Sequence, residues 1–146
     1  MKTLKNKIQI TLFTVFAILG VSNTVQAQEQ GENYKIVFQL TDDNPRSQKA
    51  LTGQLKNLTK GLPKAEIEVV VHSAGISYLL KDKSAHKTKI EELAANGVVF
   101  KACENTLKSK GIEKSAILEI SGFVPFGIGE VVKKQMEGWS YIKAGL

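Results

Sequence analysis

From Lys35 onward, short apolar runs alternate with longer stretches in which apolar residues recur every third or fourth position. Lys35-Ile36-Val37-Phe38-Gln39-Leu40, closed by Thr41-Asp42-Asp43, predicts a buried strand. Asn44 followed by Pro45 is a helix start, a side-chain cap and then a residue whose missing N–H costs nothing in the first turn. Leu51, Leu55 and Leu58 keep helical spacing until Gly61 and Pro63 stop it. Ile67 to His72 predicts a second strand, Ile76 to Leu80 a short helical turn, and 85–96 a helix ended by Gly97. Val98 to Ala102 predicts the third strand, and Glu104 to Lys110 about two helical turns closed by Gly111. Ala116 to Ile120 reads equally well as strand or helix. Phe123-Val124-Pro125 predicts a short strand whose proline bars it from a fully paired central place. After it, Ile128, Val131, Val132, Gln135, Met136, Trp139 and Ile142 trace one helical stripe.

Strands alternating with helices imply parallel pairing through right-handed crossovers. The expected fold is a three-layer α/β/α sandwich with a mostly parallel sheet of about four or five strands. The near-continuous apolar runs of the first three strands suit burial on both faces.

The start of the chain has a different pattern. Lys2, Lys5 and Lys7 precede a mostly apolar run, Ile8 to Val21, and Val25-Gln26-Ala27 is a small-residue cleavage site. Residues 1–27 are therefore expected to be a signal peptide and 28–146 one domain, exported to the periplasm or secreted. The run is too short and too interrupted for a span, so no stable membrane anchor is expected after cleavage. The whole chain has 20 basic and 14 acidic residues. Three lysines and no acid fall within the signal, leaving a small, scattered excess of three positive charges downstream. No basic run interleaves with aromatics, which argues against nucleic acid.

Ligands of open α/β sheets sit beyond the carboxyl ends of the strands. Here those ends offer Asp43 and Asn44, then His72, then Cys103 with Asn105 just beyond it, then Gly127, as candidates to line a crevice. Cys103 is the single cysteine. Without an intramolecular partner it is either a small buried hydrophobe or a site of chemistry. Its place at a helix start suits a thiolate, and Lys101, on the same side of the strand by alternation, adds favourable charge. Glu104 opposes both if it turns inward. A pair with His72 would make a Cys/His nucleophile, although nothing places an orienting third group; the alternative is a histidine that caps the sheet. One cysteine and two histidines at unrelated spacings are too few for a metal site, and the sequence calls for no cofactor. Gly127-Ile128-Gly129 lacks the third glycine of a dinucleotide fingerprint and suits a tight strand-to-helix turn.

Three segments in order carry a resemblance. They are Val70-Val71-His72-Ser73-Ala74-Gly75-Ile76, then Gly97 to Leu107 around Cys103, then Val124-Pro125-Phe126-Gly127-Ile128-Gly129-Glu130-Val131-Val132, with Glu137-Gly138-Trp139 following. Together they resemble the DsrE/DsrF-like family from Tyr34 to Lys143. The resemblance implies a three-layer α/β fold and homo-oligomers, trimers or hexamers. It also implies that Cys103 matches the cysteine on which sulfur-relay members carry a persulfide, with a sulfur donor or acceptor protein as partner. Two functions stay open: a sulfur carrier or sulfurtransferase acting through an accessible Cys103, and a non-catalytic oligomeric module that binds a small ligand in the crevice.

Overall fold

The computed structural model describes residues 33–145, so the expected signal peptide lies outside the described residues. Five parallel strands form one sheet: β1 (Lys35–Leu40), β2 (Glu66–Val71), β3 (Val98–Cys103), β4 (Ser121–Val124) and β5 (Ser140–Lys143), in the order β4-β3-β2-β1-β5. The helices are α1 (Pro45–Gly61), α2 (Lys87–Ala95), α3 (Glu104–Lys110) and α4 (Gly127–Met136), with 3₁₀ turns at Ser73–Leu79 and Lys114–Ala116. The expected three-layer α/β/α fold is present.

Strand order decides which helix covers which face. The chain steps from β1 through β4 in one direction, and right-handed crossovers keep those connections on one side. Leu51 and Leu55 of α1, Ile90 and Leu93 of α2 and Leu107 of α3 accordingly share one large core with Ile36, Phe38, Leu40, Val69 and Phe100. The return from β4 to β5 runs the opposite way, so α4 lies on the other face. There it joins a much smaller cluster in which Val131 packs on Val37, Val70 and Trp139.

Local signals act as the pattern implies. Asn44 caps α1, its side chain accepting from the Arg46 N–H at 2.9 Å. Gly111 ends α3 at φ 62°, a left-handed conformation that favours glycine. β4 is an edge strand, as Pro125 requires. The ambiguous stretch from Ala116 is neither element: a 3₁₀ turn leads to Ile117, which bridges Leu80, and Leu118 plugs the core before β4 begins.

Two expectations fail. The stripe from Ile128 to Ile142 is not one helix, because α4 stops at Met136, Gly138 turns at φ 82°, and Ser140–Lys143 adds β5 beside β1. Within α4 it is Gly127 and Val131 that face the sheet, while Ile128, Val132 and Met136 are exposed. Nor are the first three strands covered on both faces throughout. α4 is a single helix and leaves Val99 of β3 43% exposed.

The thin face also holds charge. Glu68 of β2 is buried, and Lys134 of α4 reaches it at 3.3 Å while lying 4.2 Å over the Trp139 ring. The second Glu68 oxygen has no hydrogen-bond partner among the described residues. Burial pushes the Glu68 carboxyl above the usual range against the pull of Lys134.

Candidate functional site

The connections after β3 and β4 leave for opposite faces, α3 to one and α4 to the other. Adjacent strands with diverging connections open a crevice at their carboxyl ends. Cys103, the last residue of β3 and paired with Val124, sits at its base. An open cleft of about 660 Å³ lies above, bounded by Asn105, Thr106 and Lys108 of α3, His72 just after β2, and Phe126, Gly127 and Ile128 at the start of α4. The two walls are tied together by the Asn105 N–H, which donates to the Pro125 carbonyl at 3.1 Å.

Cys103 is the N-cap residue of α3, and its Sγ accepts the backbone N–H of Gly127, the first residue of α4, at 3.1 Å. Two helix starts thus meet at one sulfur, and the donor is fixed rather than adjustable. Negative charge on sulfur is what such a donor favours. The thiol is not the accessible one expected from sequence. Cys103 is 4% exposed, because the start of α4 folds over it.

Glycine at 127 follows from this packing. A Cβ there would lie 2.9 Å from His72 Cδ2, so only a bare backbone can approach the imidazole and aim its N–H at Cys103.

His72 is held by both ring nitrogens. The Tyr141 hydroxyl donates to Gln39 Oε1, which turns the Gln39 amide nitrogen toward His72 Nε2 at 2.8 Å. Nε2 therefore accepts, and Nδ1 carries the proton and donates to Ser73 Oγ at 2.9 Å. Ser73 itself sits at φ 55°, held there while its N–H donates to Thr106 Oγ1 at 3.0 Å. Burial pulls the His72 pKa below its ordinary 6.5. This histidine is neutral and occupied, so the Cys/His nucleophile pair is not assembled. His72 packs on Gly127.

That shift has a measurable consequence. A base with a depressed folded pKa adds stability that is present above about pH 6.5 and is lost as pH falls through the folded value. His86, half-buried against Tyr78, is shifted the same way by burial. Chemical denaturation at pH 7 and pH 5 should show a smaller acid loss in His72→Asn than in the native chain, with the His86 share remaining. An unchanged difference would mean that the imidazole of His72 is not desolvated.

A model of the DsrE/DsrF-like family matches residues 34–144. The chain belongs to the DsrE/DsrF-like family. Among solved structures, it is similar to MTH1491 from Methanobacterium thermoautotrophicum, a protein of unknown function, at 36% identity and a TM-score of 0.73, over 75% of this chain and 98% of that one. BT1422 from Bacteroides thetaiotaomicron, also of unknown function, shares the fold at 19% identity and TM-score 0.62, over 76% and 95%. The ychN protein from E. coli does so at 13% and 0.60, over 75% and 98%. No curated protein matches.

On this DsrE/DsrF-like frame, His72, Cys103, Asn105 and Gly127 of the sequence-derived candidates come together. Asp43 and Asn44 do not line the cleft. They follow β1, two strands away from β3 in the sheet order, and Asn44 is spent on capping α1. Lys101 does not line it either; its ammonium lies over Gly122 of β4, where its charge pulls on Glu68. Glu104 turns outward to Lys114 and leaves the sulfur alone. Sequence reasoning missed Thr106, Lys108 and the Tyr141–Gln39 chain. One signal was available: Gln39 is the lone polar residue between Phe38 and Leu40, and it is buried.

Proposed function

We propose that this DsrE/DsrF-like protein is a sulfur carrier that holds sulfane sulfur as a persulfide on Cys103. The observation that carries the reading is the Gly127 N–H fixed on Cys103 Sγ at the base of an open cleft. In the transfer, the Cys103 thiolate attacks the outer sulfur of a donor R–S–S⁻. A new S–S bond forms to Cys103, the donor's S–S bond breaks, and R–S⁻ leaves with the electron pair. An acceptor thiolate then takes the outer sulfur and Cys103 regains its thiolate, with no net oxidation. No second cysteine can resolve the persulfide within the chain, so the acceptor supplies the thiol.

The same proposal includes export after cleavage at Ala27 and assembly into a homo-oligomer. Phe126, Ile128, Val132 and Met136 make an exposed apolar stripe along α4, of the kind that an oligomer covers. Phe126 and Ile128 also border the cleft, so a neighbouring copy on this stripe would narrow the approach to Cys103.

The burial of Cys103 and the occupied His72 favour a second reading, a non-catalytic module in which the thiol is part of the wall. Incubation of the protein with a polysulfide, followed by intact-mass measurement, separates the two. The native chain should gain the mass of one sulfur, and Cys103→Ser none. Equal masses before and after treatment of the native chain would leave the binding module.

A further inference from the structure

A second cavity opens between α1 and α2, away from the Cys103 cleft. Its volume is about 560 Å³ and it shares no lining residue with the Cys103 cleft. α1 presents Lys49, Gly53 and Lys56 to it, and α2 presents Lys89, Glu92 and Leu93. Lys49, Gly53 and Lys56 recur at helical spacing and form one edge, with the two ammonium stems about 10 Å apart along the axis at 1.5 Å per residue.

The charge of this groove is unbalanced. Among the described residues Glu92 is the only acid lining it, and it is already paired with Lys89 at 2.8 Å. Among the described residues Lys49 and Lys56 have no ion-pair partner, and they flank Gly53. The surface of the groove is mostly carbon, from Leu93 and the methylene stems of the lysines, with Thr52, Thr59, His86 and Asn96 also in its lining.

Gly53 is unexplained by the fold. It lies in the middle of a helix of 17 residues, where glycine is the poorest helix former after proline. Its φ is not positive, and nothing lies within 4 Å of where a Cβ would sit, so no packing contact demands it. What the missing side chain does is leave the groove open at the point between the two lysines.

We propose that the α1–α2 groove binds a small amphipathic organic anion, its apolar body over Gly53 and Leu93 and its acidic group held by Lys49 and Lys56. A highly hydrated inorganic anion would gain nothing from the apolar floor. This site is independent of Cys103 and of the sulfur-carrier reading.

The test uses naphthalene sulfonate as the probe, titrated into the isotope-labelled chain and followed by backbone amide shifts. Shifts are expected on α1 and α2, with the same affinity in Cys103→Ser. Gly53→Leu, whose Cβ meets nothing within 4 Å, which raises helix propensity and whose remaining carbons occupy the groove, should abolish them. Lys49→Glu with Lys56→Glu should weaken binding about tenfold or more. Inorganic pyrophosphate should produce only weak shifts spread over exposed lysines. The proposal is overturned if probe shifts map to the α4 stripe, if they scatter over the lysines as with pyrophosphate, or if a folded Gly53→Leu chain binds as the native chain does. Thermal melting of each variant shows whether it is folded.

Discussion

Lys134→Met should destabilise the fold by about 3 kcal/mol at neutral pH, because removing one partner of a buried pair strands the other. Glu68 is 4% exposed, and among the described residues its one polar contact is Lys134 and its second oxygen has no partner. Methionine keeps an unbranched stem against Trp139, so the loss is chiefly electrostatic. The pH dependence identifies it. Burial raises the folded pKa of Glu68 above 4.5, and losing Lys134 raises it further. An acid with a raised folded pKa contributes stability that is fully present below the unfolded value and lost as pH rises through the folded one. The gap between the native chain and Lys134→Met should therefore be small near pH 4.5 and widen toward pH 7. Adding Glu68→Gln to Lys134→Met should recover most of the loss at pH 7. Urea denaturation at both values decides the matter: an equal loss at the two would assign the cost to packing.

This ion pair also shows where the sequence stops being readable. Glu68 sits between Ile67 and Val69 in a run that reads as a buried strand, and the reading is right about the strand. What it cannot carry is that a lysine from the far end of the chain will meet that carboxylate, since the meeting depends on α4 crossing β2. The strands and helices themselves were legible because β-branched runs, Asn44-Pro45, Gly97 and Gly111 act locally. β5 was not, since Trp139 and Ile142 happen to continue the helical spacing of α4 and only Gly138, at positive φ, breaks it. Periodicity found the apolar residues of α4 but ran its sheet-facing and exposed sides together. The sheet-facing positions are Gly127 and Val131, small enough for the helix to come close, while the larger Ile128, Val132 and Met136 point outward.

The candidate site divides along the same line. That candidate residues gather at strand ends was readable, and His72, Cys103, Asn105 and Gly127 do line one cleft. Which strand ends matter depends on where adjacent connections diverge. That point lies at β3 and β4, which removes Asp43 and Asn44. Glycine at 127 looked like an ordinary turn residue, yet its absent side chain and its N–H are what join His72 to Cys103.

Gly127→Pro should slow sulfur loading of Cys103 by about tenfold, the scale of losing one hydrogen bond to a charged group once the greater nucleophilicity of the less stabilised sulfur offsets part of it. Proline fits the first position of α4, where a backbone N–H is not used within the helix. Phe126 before it is already extended at φ −149° and ψ 131°, the conformation that a following proline imposes. The substitution thus removes the donor to Cys103 Sγ while leaving the helix start intact. It also adds a Cβ that meets His72 at 2.9 Å, so Gly127→Ala, which adds the same Cβ but keeps the N–H, is the necessary reference. Alanine should cost about 1–3 kcal/mol of stability through overpacking and slow loading far less than proline does. The measurement is the rate of single-sulfur mass gain from polysulfide for the three chains at one pH. If alanine and proline slow it equally, the effect belongs to the displaced imidazole. If proline alone slows it, the N–H of Gly127 is the group that stabilises charge on Cys103.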